Sequence, residues 1–130
     1  MPHLVVDAMN VIGSRPDGWW KDRAGAARRL LADLQAMPRE NDEVVTVVFD
    51  GRPMPDVPEG AHDGVDVAYA RRGGRDAADD RIVEIVEAAP DPTQLDVVTS
   101  DRALTERVRT LGASVTGAGS LLRRLGRSSS

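Results

Sequence analysis

Short runs of β-branched residues alternate with segments of helical period along the whole chain, and nothing else in the sequence limits its folding so strongly. Leu4-Val5-Val6, Val44 to Phe49, Val65 to Tyr69, Leu95 to Thr99 and Ser114 to Thr116 read as five strands. Asp22 to Met37 reads as a helix, because Ala27, Leu30, Leu31, Leu34 and Met37 follow the spacing that puts side chains on one helical face. Asp76 to Ala89 reads the same way through Ile82, Ile85, Val86 and Ala89. Pro38 and Pro90 end these two helices, Arg102 to Leu111 is a third closed by Gly112, and a terminal helix is expected near Ser120 to Leu125. The segment from Arg52 to Asp63, with three prolines and no period, is expected to be loop, and Arg71 to Arg75 a Gly-rich basic loop. Strand–helix alternation at this spacing predicts an α/β domain with a mostly parallel central sheet covered by helices on both faces.

The chain of 130 residues is sized for one domain. It has no cysteine, which excludes disulfide scaffolds, thiolate metal sites and Cys nucleophiles. The start of the sequence has no basic segment followed by a long apolar stretch, and Val44 to Phe49 is far short of the roughly 18 apolar residues a membrane span needs, so a cytoplasmic protein is expected.

In parallel α/β sheets the functional crevice lies beyond the carboxyl ends of the strands. Three predicted strands run into an acid there: Val6-Asp7, Phe49-Asp50 and Thr99-Ser100-Asp101. Asp101 also precedes a helix and has a capping role open to it, whereas Asp7 lies far from the next helix expected. Asp76, Asp79 and Asp80 open the second long helix, where capping and the helix dipole favour them; over the strand ends they would face the same crevice. Crowded carboxylates repel and titrate upward unless a cation compensates. With no cysteine and only His3 and His62 as nitrogen donors, an oxygen-ligated Mg²⁺ or Mn²⁺ is the expected ion. Such an ion makes a nucleophile of bound water and stabilises charge on an attacked phosphodiester. Asn10 is spaced to hold the water or phosphate through its amide.

The basic residues acquire a role beside such a site. Arg71, Arg72 and Arg75 precede the acidic helix start, and Arg15 and Arg52 follow two of the acidic strand ends, so all five are candidates to track a phosphate backbone around the opening. Of Trp19 and Trp20, one is expected in the core and the other is open to stack on a base. The net charge of −4 predicts weak non-specific nucleic-acid binding, so local patches must carry any preference.

Val6-Asp7-Ala8-Met9-Asn10-Val11-Ile12-Gly13, Val47-Val48-Phe49-Asp50-Gly51, Ala78-Asp79-Asp80-Arg81-Ile82 and Val98-Thr99-Ser100-Asp101 together resemble the NYN domain family, in its YacP-like branch of PIN-like ribonucleases. The resemblance spans Leu4 to about Leu125. It implies a PIN-like three-layer α/β/α fold over residues 1–126, with 127–130 as a disordered tail, and metal-dependent cleavage of RNA. By motif it implies Asp7, Asp79 and Asp101 as metal ligands, Asn10 and Asp80 as assisting catalytic residues, and Asp50 and Asp76 as rim positions. The family's first motif usually reads Asp-Gly-Tyr-Asn, where this chain has Ala8 and Met9 in the middle. Relatives often carry a longer basic or helical C-terminal extension, absent here after Arg127, so docking on single-stranded RNA or on ribosomes is expected to differ from theirs.

Rival folds of similar pattern fit less well. A receiver domain needs a Lys after its last strand, and Lys21 is the sole Lys. Neither a G-x-G-x-x-G nor a P-loop follows the first strand. Asp7-Ala8-Met9 lacks the second Asp of a haloacid-dehalogenase-like phosphatase. A non-catalytic RNA-binding or regulatory module on the same scaffold is the remaining alternative. The expectation is a divalent-metal-dependent endoribonuclease acting on single-stranded RNA.

Overall fold

Valine-rich strands with no polar face can be satisfied only by covering both sides, and the sheet is built accordingly. The computed structural model describes residues 2–71, 73–74 and 76–128. Its elements are β1 (His3–Asp7), α1 (Ala8–Gly13), α2 (Arg23–Ala36), β2 (Val44–Phe49), β3 (Gly60–His62), β4 (Val65–Tyr69), α3 (Ala77–Ala88), β5 (Leu95–Val98), α4 (Arg102–Thr110), β6 (Ser114–Thr116) and α5 (Ala118–Ser128). The six strands lie in the order β3-β4-β2-β1-β5-β6. All pairings are parallel except that of β3 with β4. This is a three-layer α/β domain.

Successive side chains of a strand point to opposite faces, so the valine runs feed two cores at once. Val6, Val45 and Val47 pack with Leu30, Leu34 and Leu121 under α1, α2 and α5. Val5, Val48 and Val97 pack with Ile82, Val86, Leu104 and Val108 under α3 and α4. Leu30, Leu34, Ile82 and Leu104 are fully buried, each contributing roughly 1.5–3 kcal/mol of transfer free energy. Asp22 starts α2 by accepting a hydrogen bond from the Gly25 N–H at 2.9 Å. A Cβ on Gly25 would stand 2.3 Å from that carboxylate, so the cap requires glycine there.

Three expectations are corrected. A helix, α1, begins at Ala8, directly after Asp7, where the next helix was expected only at Asp22. Its six residues are too few to show a period in the sequence. Within the stretch expected to be loop, Gly60–His62 forms an edge strand, joined to β4 through Asp63 and Gly64. Both residues have positive φ, 48° and 92°, as the tight primed hairpin turn demands, and the Asp-Gly pair was its sequence signal. At the C-terminus α5 spans Ala118–Ser128, longer than the helix expected near Ser120 to Leu125, and residues 129 and 130 of the expected tail lie outside the described residues. Arg124 fastens that helix to the chain before β2 by pairing with Glu43 and donating to the Pro38 carbonyl at 3.0 Å.

Candidate active site

β1 and β5 are adjacent and parallel at the centre of the sheet, so their carboxyl ends bring Asp7 and the Thr99-Ser100-Asp101 segment together. Asp7 is only 5% exposed. The Thr99 hydroxyl donates to Asp7 Oδ2 at 2.9 Å and accepts the Asp101 backbone N–H at 3.1 Å. One buried threonine therefore sets the positions of two acids. Asp101 Oδ1 in turn accepts the Leu104 N–H at 2.9 Å, capping α4. α1 carries Asn10 over the same segment, where its Oδ1 accepts the Ser100 N–H at 2.7 Å. Ser100 Oγ accepts the Ala118 N–H at 3.1 Å, which locks α5 into the arrangement. The Asn10 amide nitrogen makes no hydrogen bond among the described residues.

Asp79 joins from the first turn of α3. Its carboxyl is pushed up to about 6, first by burial and then by the negative charges of Asp7, Asp101 and Asp76, with Arg107 working the other way. Asp7 is raised too, by burial and by Asp101 and Asp50, against the opposing Thr99 hydrogen bond. Acids from β1, β2, α3 and the β5–α4 junction therefore act on one another electrostatically. None of Asp7, Asp79 and Asp101 is in a salt bridge among the described residues. Asp80, in contrast, is paired with Arg107 at 2.9 Å on the rim. Asp76 occupies the cap position of α3 without making a capping hydrogen bond, and Asp50 is exposed at the end of β2.

The basic candidates divide. Arg15 is tied to Asp33 at 2.7 Å, and Arg71 grips Glu84 with its Nε at 2.9 Å and its Nη2. Arg52 has no ion pair among the described residues, and Arg72 and Arg75 lie outside them. Trp19 is partly buried against the core and 6.0 Å edge-on from Trp20, which is 60% exposed. His3 sits at the opposite end of β1 bonded to Thr46, and His62 contacts the Pro58 carbonyl; neither reaches the carboxylates' edge.

Among the described residues, no three acidic or histidine side chains stand close enough to enclose a metal ion. The donor chemistry nevertheless suits a hard dication, since every group in the cluster offers carboxylate or amide oxygen. Mg²⁺ keeps several waters and takes one or two direct carboxylates, so an open arrangement fits it better than a closed cage. Two contributors escaped the sequence reading. Thr99 was visible only as the last residue of a strand, and Arg107, six residues past Asp101, carried no local signal.

A mostly parallel, three-layer α/β sheet with acids gathered at its carboxyl edge defines a PIN-like domain. The profile of the YacP-like NYN domain matches residues 4–130, and the chain belongs to that ribonuclease family. Its fold is similar to the crystal structure of Rae1 (YacP) from Bacillus subtilis and to that of a single-site mutant of the same protein. Both superpose with a TM-score of 0.77 at 25% identity, covering 99% of this chain and 76% and 77% of theirs. No curated protein matches in sequence. Among the described residues no helix is long and apolar enough to cross a membrane.

Proposed function

We propose that this chain is a divalent-metal-dependent endoribonuclease that hydrolyses phosphodiester bonds of single-stranded RNA in the cytoplasm. The observation that carries the reading is that Asp7, Asp79 and Asp101 meet at one sheet edge with no ion pair among the described residues, where burial first and then the neighbouring carboxylates raise Asp79 to about 6. Such a cluster is costly unless a dication joins it. Mg²⁺ or Mn²⁺, when bound, lowers the pKa of water and stabilises charge on the phosphodiester.

The chain's own residues prepare that chemistry. Asp7, Asp79 and Asp101 would hold the ion, directly or through water. Thr99 fixes the Asp7 carboxylate, and Asn10, anchored on Ser100, presents its amide nitrogen to the water or the phosphate. Asp79 holds a proton on the acid side of its raised pKa and gives it up as the site becomes competent. Asp80, with Arg107, and the outer acids Asp50 and Asp76 shape the rim. Arg52 meets the RNA backbone unencumbered, while Arg15 and Arg71 contribute only by exchanging an internal partner. The exposed Trp20 ring supports the single-strand preference, because paired bases offer no free face to stack on.

The test is labelled single-stranded RNA incubated with the purified chain and Mn²⁺, with and without chelator. Cleavage that the chelator abolishes is expected; a chelator-resistant product pattern overturns the reading. The open spacing of the carboxylates favours a second reading, a non-catalytic RNA-binding module, which predicts binding without any cleavage in the same tubes.

A further inference from the structure

Beside the acidic cluster, between the start of α2 and the turn after β2, lies a pocket of about 240 Å³. Met9, Phe49, Met54 and Tyr69 give it apolar walls, and Arg23, Asp50 and Arg52 stand at its polar side. From these residues we infer that the pocket is a nucleobase subsite, receiving one unpaired base of the RNA strand whose phosphate lies at the carboxylates. The inference rests on RNA being the substrate.

Four observations support it. The volume is below the roughly 300–1,000 Å³ of a site for a whole drug-sized ligand, a scale suited to a single base. The wall chemistry suits a flat aromatic guest: Phe49 and Tyr69 pack 5.7 Å apart, and the two half-buried thioethers are polarisable and adaptable against ring faces. The walls are held in place, since Tyr69 donates its hydroxyl to the Val57 carbonyl at 2.6 Å and accepts the Met54 N–H at 3.3 Å. The charge is also complementary to a nucleotide. Among the described residues neither Arg23 nor Arg52 has an ion pair, whereas Arg15, Arg28, Arg71, Arg81, Arg107 and Arg124 all do.

Continuity with the reaction site is supplied by two residues. Asp50 lines the pocket and its charge reaches Asp7; Met9 lines it one residue before Asn10. On the far rim Arg23 lies over the Trp19 ring at 5.3 Å, and Trp19 leads to exposed Trp20. A strand of RNA can therefore pass from stacking on Trp20, past the guanidinium groups of Arg23 and Arg52, into the pocket and on to the acids. Gly51, at a φ of 76°, makes the tight turn that brings Asp50 and Arg52 to the same mouth.

The experiment uses the full chain and a short single-stranded oligouridylate carrying thiouridine, in chelator so that nothing is cleaved. Irradiation followed by mass spectrometry is expected to place adducts on Met9, on the segment from Phe49 to Met54, or on Tyr69. Met54→Glu puts a carboxylate into the pocket and is expected to weaken binding, read by fluorescence anisotropy, at least about fivefold, the lower end of what one stacked base contributes. Arg52→Ala, at an exposed side chain with no ion pair among the described residues, does the same without touching the core, and Arg109→Ala at the far end of α4 leaves binding unchanged. Adducts confined to other segments, equal binding by wild type, Met54→Glu and Arg52→Ala, or no binding of the oligonucleotide at all would overturn the subsite. Mn²⁺-dependent cleavage scored separately keeps the two readings apart: adducts in the pocket without cleavage sink the nuclease and spare the subsite, and cleavage with adducts elsewhere does the reverse.

Discussion

The two ends of β1 carry the same device with opposite consequences. At the amino end His3 Nε2 meets the Thr46 hydroxyl of β2 at 2.7 Å, and at the carboxyl end Asp7 meets the Thr99 hydroxyl after β5 at 2.9 Å. Burial works against the charged form in both, lowering the His3 pKa and raising that of Asp7. Histidine can shed its charge near neutrality and become a quiet member of the structure. Asp7 has Asp101 and Asp50 adding charge of its own sign and Asp79 close by, and among the described residues it has no salt bridge, Arg107 reaching only Asp79 and its neighbour Asp80. The larger cavity, about 720 Å³, lies along α3 towards the amino end, lined by apolar side chains such as Ile85 and Leu95 and by the mutually neutralised Arg81 and Glu84. Unbalanced charge, and not the amount of room, distinguishes the end where chemistry is proposed.

The sharpest way to break this comparison is Asp7→Asn. Cleavage of RNA in Mn²⁺ is expected to fall by more than the ~10–100-fold typical of losing a group that only supports a ligand, with the circular dichroism spectrum unchanged. Cleavage at the wild-type rate would remove Asp7 from the site. Next in size is Thr99→Val, which frees the Asp7 carboxylate and the Asp101 N–H together. It is expected to cost roughly 10–100-fold in Mn²⁺ affinity by calorimetry, with Thr99→Ser restoring most of it. Equal loss in both variants would mean that packing, and not the hydroxyl, is what matters there.

A third prediction uses pH. Asp79 has its folded pKa raised from 3.8 to about 6, so its proton is bound more tightly in the folded chain than in the unfolded one. Its stabilising effect is fully present below 3.8 and is lost as pH climbs through about 6. The metal-free melting temperature is therefore expected to decline across that window, and Mn²⁺ affinity to grow across it because the ion competes with the proton. Asp79→Asn should flatten both curves; an unaltered melting profile in the variant would show that another group titrates. The smallest effect belongs to the other end of β1. Thr46→Val leaves His3 without its partner and is expected to cost about 1 kcal/mol in denaturant unfolding while RNA cleavage stays at the wild-type rate.

Much of the layout was legible because periodicity is a local property. Val44–Phe49, Val65–Tyr69 and Ser114–Thr116 end where the sequence pattern ends, and α2 lies within the helix read from its leucines. α1 and β3 escaped for different reasons. Val11 and Ile12 are too few to display a helical repeat, and β3 has two exposed residues and owes its place to backbone pairing with β4. The acids at the strand ends could be picked out one by one, since each follows a β-branched run. What they do to one another could not, because Asp7 and Thr99 are 92 residues apart in the chain. The pairing of Arg15, just after α1, with Asp33 of α2 and of Asp80 of α3 with Arg107 of α4 joins segments whose relative placement no local pattern encodes.

The amino-acid order alone determined most of the strands and helices, α1 and β3 excepted, that the sheet is mostly parallel, and that acids stand at the carboxyl ends of its strands, because each follows from the local alternation of apolar and polar residues. The tertiary structure alone decided which of those carboxylates stay unneutralised, which arginines remain free, and that a threonine holds two acids in place. Charge balance is a property of neighbours in space, and only the folded packing of β1, β5, α3 and α4 chooses the neighbours.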